Sequence, residues 1–417
     1  MNESPSSLTE TSQGARPRPA SYTDFVAELL WPKLLRAVPL ACRPERLMLA
    51  FVVLFITLCI GQFGSLGTFT SAYDEAAGQQ SRGNFSMFVA RWVAGGVRGI
   101  AEGMYSLDIA KVRYEAISLV LETPANVWDR YGVLTFVLGL PILFIWAIGG
   151  CALARMIACD FAQGVILDIQ SAVGFAFKKV AAVLGAILIP LAVIGLLVGC
   201  VMIGGWFVFS LIGATTLGSV VYGIFLLIAF LACVLGFLYA AGAPMLIPCV
   251  ACEGSDWMEA IQRSFAYALG QPLRLVMYLV ISLLVAWPIL LVLDALSDAT
   301  AAVALWGVGA INHEAVQTLV NTEAEQAPSF AAKMVRFWSY VPQALVWSFA
   351  TSFLFASTTI LYLLLRQAHD SQDQSEIWMP GLIEGTMAES LRARAQLAAT
   401  HTSETPERLV VQPKNED

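Results

Sequence analysis

The length, composition and charge of this chain place it among membrane proteins. Of its 417 residues, 58% are hydrophobic and only 13% are charged, and the formal net charge is −7. An ordinary soluble domain is about 25% charged, so these values exclude a soluble globular protein and a disordered one. Because Lys and Arg form no dense cluster, nucleic acid is not expected as a partner.

Six apolar segments that contain no Asp, Glu, Lys, Arg or His predict six membrane-spanning helices. A helix crosses a bilayer with about 20 apolar residues. A charge at the centre of such a helix costs about 2.5–3.5 kcal/mol on insertion scales, and these segments avoid that cost. The fold class predicted is all-α, a polytopic transmembrane helix bundle with six spans, amphipathic interfacial helices and a parallel internal repeat. The six segments are residues 47–66, 133–153, 180–211, 220–248, 275–293 and 341–365.

The part of the chain before the first span divides into a tail and an amphipathic segment. Residues 1–20 are rich in Ser, Pro, Thr and Gly and have no apolar core, so we expect a disordered tail rather than a signal peptide. Residues 21–45 are predicted to form an amphipathic interfacial helix. The alternative is a short helix that only packs against the bundle. The side chains predicted to lie at the membrane interface are Trp31, Lys33, Arg36, Arg43, Arg46, Lys178 and Lys179.

The distribution of basic residues predicts the orientation. If the N-terminus is cytoplasmic, the segments on the cytoplasmic side carry 16 of the 24 Lys and Arg residues. By the positive-inside rule both termini are then cytoplasmic, and the expected location is the bacterial inner membrane. The membrane domain is predicted to span residues 46–366, and residues 367–417 to form a largely disordered cytoplasmic tail. Cys252 is expected to be reachable from the cytoplasm.

Two long loops on the outer side are predicted to contain helices. The loop 68–131 is too long to be structureless. Its apolar residues recur at helical spacing over 85–105 and again over 107–121, which predicts two helices against the outer face of the bundle. The loop 298–340 shows the same pattern around residues 304–320.

The segments 132–211 and 218–297 are predicted to be parallel repeat units. The letters ACD at residues 158–160 match ACE at residues 251–253, and in each unit a predicted amphipathic helix follows. Both units have the same orientation, as in transporters whose repeats are related by an axis along the membrane normal. Chance similarity between apolar segments is the alternative.

The repeat predicts local features that the structure tests. We expect Asp160 and Glu253 near helix N-termini, where free backbone N–H groups favour an acidic side chain. Ser255 is expected to be the N-cap of the second amphipathic helix. In the first unit a turn at Lys178 and Lys179 is expected to open the next span.

Few residues have the type and spacing of a metal-binding or catalytic site. Cys249 and Cys252 form a CxxC pair, and Cys159 stands at the equivalent place in the other unit, so these three are weak candidates for a metal site. A structural zinc site needs four ligands, and the other interpretation is small apolar residues at helix ends. We therefore expect no metal, no cofactor and no catalytic residue.

The polar residues of the spans allow two interpretations. Ser348, Thr351 and Ser352 in the sixth span, with Gln62 in the first, either make interhelical hydrogen bonds or line a path for a neutral solute. Gly195-x3-Gly199 in the third span matches the pattern of small residues that allows helices to pack closely.

Two segments carry a resemblance to known proteins. The sequence LLWPKLLRAVPLACRPERLMLAFVVLF before and in the first span, together with MLIPCVACEGSDWMEAIQRSFAYALGQPLRLVMYLV, resembles a group of uncharacterised polytopic bacterial membrane proteins. That group implies no assigned activity. The ACEGS segment is also similar to the membrane-anchor domain of glycerophosphodiester phosphodiesterases. This chain lacks the cluster of acidic and His residues that would perform the hydrolysis.

The preferred functional hypothesis is a non-catalytic structural, scaffolding or regulatory membrane protein, and not an enzyme. The alternative is a permease-like component that moves a neutral or lipidic solute, with an intramembrane enzyme third. The expected partners are membrane lipids and other membrane proteins, and the sequence names no soluble ligand.

Overall fold

The computed structural model describes residues 31–63, 84–211, 215–311 and 330–378. Helices make up 91% of these residues, which contain no strand, so the all-α prediction is confirmed. A 3₁₀ turn (Trp31–Arg36) precedes the first α-helix, and two π-helical segments (Ser118–Glu122 and Trp206–Leu211) extend others. The eleven α-helices of the described residues are α1 (Ala37–Ala41), α2 (Pro44–Gln62), α3 (Phe85–Tyr105), α4 (Ile109–Ile117), α5 (Thr123–Tyr131), α6 (Leu134–Gln163), α7 (Ile169–Gly205), α8 (Thr215–Glu253), α9 (Trp257–Gly270), α10 (Pro272–Ile311) and α11 (Phe330–Asp370).

Six of these helices are long and apolar enough to cross a membrane, as a multi-pass membrane protein requires, and each overlaps one of the predicted spans. They are α2, α6, α7, α8, α10 and α11. Most extend well past the predicted segments. The 37 residues of α7 correspond to about 55 Å, whereas the hydrocarbon core is about 30 Å thick, so the ends of such helices lie outside it.

The sixth span, α11, is the central helix. It contacts α1, α2, α6, α8 and α10, and most of its residues from Ser348 to Arg366 are buried. A helix with neighbours on all sides is apolar or uncharged over most of its length, which explains the hydroxyl and small residues of this span between Ser348 and Leu365.

Two adjacent glycines on α6 allow its neighbours to pack closely. A Cβ atom added at Gly149 would lie 2.2 Å from Cγ2 of Val53 in α2. One added at Gly150 would lie 2.5 Å from Cζ of Phe355 in α11. These contacts are the small-residue packing typical of membrane helices.

The helices α7 and α8 pack against each other, but their far halves leave the rest of the bundle. The apolar contacts of α7 with the main core stop at Ile187, and those of α8 begin at Tyr239. Beyond these points most large apolar side chains are exposed, which suits a lipid or helix environment and not water. Examples are Leu196, Met202, Ile203, Leu227, Phe230 and Phe237.

The first long loop contains helices, as predicted. The prediction for residues 85–105 is confirmed by α3, whose N-cap residue Asn84 accepts a hydrogen bond from the backbone N–H of Met87. Asn84 Nδ2 also donates to the carbonyl of Leu58 (3.3 Å), which places the start of α3 beside the end of α2. The second predicted helix, 107–121, corresponds to α4 and a π-helical segment. In the other loop α10 extends to Ile311, and residues 312–329 lie outside the described part.

The segment before the first span is described from Trp31 onwards. Leu34, Ala37, Leu40 and Ala41 are buried against the bundle, as the packing alternative expects for this part of the segment. Residues 1–30, including the predicted tail, lie outside the described residues.

Three local expectations from the repeat are wrong. Asp160 and Glu253 lie in the last turns of α6 and α8, because each apolar helix continues through its acidic residue. The N-cap of α9 is Asp256 and not Ser255. No turn occurs at Lys178 and Lys179, since α7 runs through them without a break.

The predicted start of the C-terminal tail is also corrected. Residue 366 lies inside α11, which continues to Asp370. Residues 371–378 then fold back onto the bundle, where Ile377 is fully buried. The part of the chain that packs into the bundle therefore extends at least to Trp378, and residues 379–417 lie outside the described part.

Candidate functional site

Buried charged side chains gather at one end of the bundle, which we call the base. The base comprises the 3₁₀ turn, α1, the start of α2, the ends of α6, α8 and α11, the start of α7, the helix α9, and residues 371–378, which we call the strap. Arg46, Arg155 and Arg366 are 1%, 3% and 2% exposed. A buried charge is tolerated only when it is paired and hydrogen-bonded, so the partners of these arginines determine the arrangement.

Arg46 joins three helices through Asp160. Its guanidinium lies 2.5 Å from the Asp160 carboxylate, and it also donates to the carbonyls of Leu40 (2.6 Å) and Met156 (3.2 Å). Arg43 pairs with the other oxygen of Asp160 at 3.1 Å. Asp160 lies in the last turn of α6, where the helix dipole disfavours a negative charge. The two arginines therefore stabilise this carboxylate and connect α1, α2 and α6.

Glu253 is the corresponding acid at the end of α8. Arg366 lies 3.6 Å from its carboxylate, Arg263 pairs with the same group, and the Tyr362 hydroxyl donates to it. Burial alone would lower the pKa of Arg263, but the carboxylates of Glu253 and Glu259 raise it above its ordinary value. This cluster connects α8, α9 and α11.

Asp370 occupies the same position at the end of α11. The Tyr267 hydroxyl of α9 donates to its carboxylate. Burial, and then this hydrogen bond, raise the pKa of Tyr267, so the phenol stays protonated as a donor. Gln271 adds a hydrogen bond from its side-chain amide to the carbonyl of Ala368 (2.8 Å).

The three helix ends share one more feature. The residue that follows each of them has a positive φ, namely Gly164 (+68°), Gly254 (+62°) and Ser371 (+57°). A left-handed residue after the last turn is a common helix C-cap, and it lets the chain change direction at once. Each of α6, α8 and α11 therefore combines an acidic last turn with a sharp exit.

The strap is held through its backbone by two of the buried arginines. Arg366 donates to the carbonyls of Asp373 (3.0 Å) and Glu376 (2.7 Å). Arg155 donates to the carbonyl of Ala251 (3.0 Å) and to that of Trp378. The N–H of Trp378 in turn donates to the carbonyl of Cys252 (3.0 Å). These contacts join the strap to α6, α8 and α11.

The side chain of Trp378 fixes the end of the strap. Its ring lies 5.9 Å from the Phe175 ring of α7, and the ammonium of Lys179 lies 5.9 Å from the ring centroid. The ring also covers Gly254, where an added Cβ would come within 2.9 Å of it. The strap thus crosses the base from the end of α11 to the turn between α8 and α9.

The residues predicted to lie at the membrane interface all lie at the base. Trp31 and Lys178 are exposed, and Lys33 donates to the side chain of Gln374 (3.0 Å). Arg36 lies over the Phe161 ring (5.2 Å), Arg43 pairs with Asp160, and Lys179 lies 3.9 Å from Asp256. Arg46 is inside the protein, where its role is structural.

The candidate metal ligands are buried at the base. Cys159 is 3% exposed, and Cys249 and Cys252 are fully buried. Cys249 Sγ lies 3.8 Å from Oγ of Ser255. Among the described residues, no group of three or more His, Cys, Asp or Glu side chains could hold a metal ion. Because Cys252 is inaccessible, the expectation that it can be labelled from the cytoplasm is wrong for the folded protein.

The hydroxyl groups of the sixth span bond to backbone carbonyls. Ser348 donates to the carbonyl of Ala344 (2.7 Å), and Thr351 donates to that of Trp347 (2.9 Å), each one turn earlier in α11. Ser352 donates to the carbonyl of Ala41 (3.0 Å), which joins α11 to α1. Gln62 lies in the last turn of α2, at the opposite end of the bundle from the base.

The sequence offered one signal for the buried cluster. In both the second and the sixth spans an arginine comes four or five residues before an acid, as in Arg155 with Asp160 and Arg366 with Asp370. Sequence reasoning missed the partners Glu253 and Tyr362, because pairing between helices leaves no local pattern.

No protein-family model matches the chain, and neither a curated protein nor a solved structure does, so both resemblances stay predictions.

The Arg46–Asp160 pair predicts a large loss of stability on removal of its carboxylate. In Asp160→Asn the buried guanidinium of Arg46 loses its counter-charge, and we expect a cost of about 3–5 kcal/mol. Thermal unfolding of the purified protein in detergent measures this.

Asp298 is exposed, so Asp298→Asn serves as the control. We expect it to change the free energy of unfolding by no more than about 0.5 kcal/mol. The double variant Arg46→Met with Asp160→Leu replaces both charges by apolar groups and should regain most of the loss. An Asp160→Asn protein as stable as the wild type would show that the pair does not hold the base together.

Proposed function

We propose that the chain is a non-catalytic scaffolding protein of the bacterial inner membrane, which binds transmembrane helices of other chains through the far halves of α7 and α8. The observation that carries this proposal is the apolar surface of these two helices, which no described part of the chain covers.

Two glycines on that surface support a helix-binding face. A Cβ atom added at Gly195 or at Gly199 would meet no atom within 4 Å. Gly149 and Gly150 contrast with them, because their surfaces are filled by α2 and α11. Glycines four residues apart allow two helix backbones to approach closely. The Gly195–Gly199 face is therefore available for a helix that does not belong to this chain.

The base supplies the rigid part that a scaffold needs. The buried Arg46, Arg155 and Arg366 each bind the end of another helix or the strap. Side chains that are fixed in this way are poor candidates for acid–base chemistry or ion coupling, which supports a non-catalytic role. No observation favours a permease, since Ser348, Thr351 and Ser352 donate to backbone carbonyls.

We also propose that the base lies on the cytoplasmic side, with both termini in the cytoplasm. The support is the gathering of basic residues at the base, in agreement with the positive-inside rule.

The internal repeat is likewise a proposal. It is supported by the ends of α6 and α8, each of which has an acid in its last turn followed by a glycine with positive φ.

Native electrophoresis of membranes solubilised in a mild detergent tests the scaffold. We expect the wild-type chain of 45.0 kDa to migrate in a larger complex. Gly195→Leu with Gly199→Leu should release it as the single chain, because two bulky side chains prevent close helix contact.

Gly139→Leu on α6 is the matched control, because an added Cβ there also meets nothing within 4 Å. It should leave the complex intact. A wild-type protein that migrates as a single chain, or a complex that survives both substitutions on α7, would contradict the proposal.

Cysteine labelling tests the orientation. Cys42 is exposed at the base, so it replaces the buried Cys252 as the reporter. In a variant with Cys59, Cys200 and Cys233 replaced by Ala, a membrane-impermeant maleimide should label inside-out vesicles and spare intact spheroplasts. Labelling of spheroplasts alone would invert the topology.

A further inference from the structure

A cavity at the opposite end of the bundle from the base carries two unpaired charges. It has a volume of about 250 Å³ and lies between α3 and the region where α4 passes through the π-helical segment into α5. Arg91 and Trp92 line it from α3, Glu115 from α4, and Ser118 and Thr123 from the π-helical segment and the start of α5. A volume below about 300 Å³ suits a small polar group and not a whole drug-sized ligand.

Arg91 and Glu115 are not partners of each other. No ion pair within 4.0 Å joins them, and neither side chain forms a hydrogen bond or ion pair with another residue in the described part of the chain. Lys111, which is influenced by Glu115, pairs with Glu102 at 2.9 Å. The cavity therefore presents an exposed guanidinium and a partly buried carboxylate that form no hydrogen bond or ion pair with a described residue, and these two opposite charges are complementary to a zwitterion.

The π-helical segment supplies one hydroxyl acceptor, Ser118, to the cavity that Glu115 lines. The Ser118 hydroxyl donates to the Glu122 carboxylate (2.7 Å), so its own oxygen remains available to accept. Thr123 is buried at the start of α5. Single π-helical turns within α-helices occur frequently at functional sites, because the extra residue widens the helix and redirects side chains.

An exposed apolar side chain stands at the edge of the cavity. Trp92, which lines the cavity, is 37% exposed, and the next residue of α3, Val93, is 42% exposed. A helix with exposed Trp and Val side chains and charged residues elsewhere suits the boundary between headgroups and acyl chains. The cavity is therefore placed where a lipid can enter it headgroup first.

We propose that this cavity binds the headgroup of a phospholipid with a primary ammonium, of the phosphatidylethanolamine type. Arg91 binds the phosphate, and Glu115 with Ser118 accepts hydrogen bonds from the ammonium. The acyl chains lie along Trp92 and Val93. A phosphatidylglycerol headgroup has no cation for Glu115, and the methylated ammonium of phosphatidylcholine has no N–H to donate.

Native mass spectrometry of the full-length protein, purified in detergent and supplied with each lipid, tests this assignment. We expect one phosphatidylethanolamine per chain, bound about tenfold or more tightly than phosphatidylglycerol or phosphatidylcholine. Arg91→Gln should weaken phosphatidylethanolamine about tenfold or more, and Glu115→Gln should remove the preference over phosphatidylcholine.

Two further variants test the cavity without changing Arg91 or Glu115. Gly95 lines the cavity and an added Cβ there meets nothing within 4 Å, so Gly95→Leu should fill the cavity and abolish binding without disturbing the helix. Arg113→Gln removes an exposed cation on α4 that does not line the cavity, and it should bind as the wild type does.

Equal binding of the three lipids, or unchanged binding in Arg91→Gln and Gly95→Leu proteins that unfold at the wild-type temperature, would overturn the proposal. Soluble phosphoethanolamine is the second arm of the experiment. It should displace the lipid only weakly, and displacement at equal concentration would assign the cavity to a soluble ligand instead.

Discussion

The burial of three arginines at one end of an apolar bundle is the constraint on which the rest of the structure depends. A guanidinium removed from water is destabilising unless its donors find acceptors, and the penalty persists even when a single carboxylate is near. At the base the acceptors come from several elements at once, including Asp160, Glu253 and the backbone carbonyls of the strap. The arginines therefore stabilise the base only when α1, α2, α6, α8, α11 and the strap are all in place.

The molecule therefore has two parts that are stabilised by different interactions. At the base, polar contacts fix the helix ends, and small residues such as Gly150 allow close packing around α11. In the far halves of α7 and α8 no such contacts occur with the main core, and apolar side chains face outwards. A fixed base with a projecting apolar hairpin is the arrangement that the scaffold proposal uses. The cavity between α3 and α5 lies apart from both, at the opposite end of α2.

The sequence predicted the features that composition and periodicity control. The six spans follow from the absence of charge, and the bounds of α3 follow from apolar residues at helical spacing. The buried cluster could not be predicted in the same way. Arg46 beside an apolar span has the pattern of an interface residue, and only the approach of Asp160, 114 positions later, makes it a core residue. The strap has no periodicity, because it is held through backbone carbonyls.

Hydrogen exchange of the full-length protein in nanodiscs, followed by mass spectrometry, tests the central role of the buried arginines most directly. We expect slow exchange of strap amides, including Trp378, in the wild type. Arg366→Gln should speed that exchange while α2 keeps its protection, and Lys178→Gln, an exposed change at the base, should leave the strap protected. Strap amides that exchange in the wild type as fast as an unfolded peptide, or that do not respond to Arg366→Gln, would show that the buried arginines do not hold the strap.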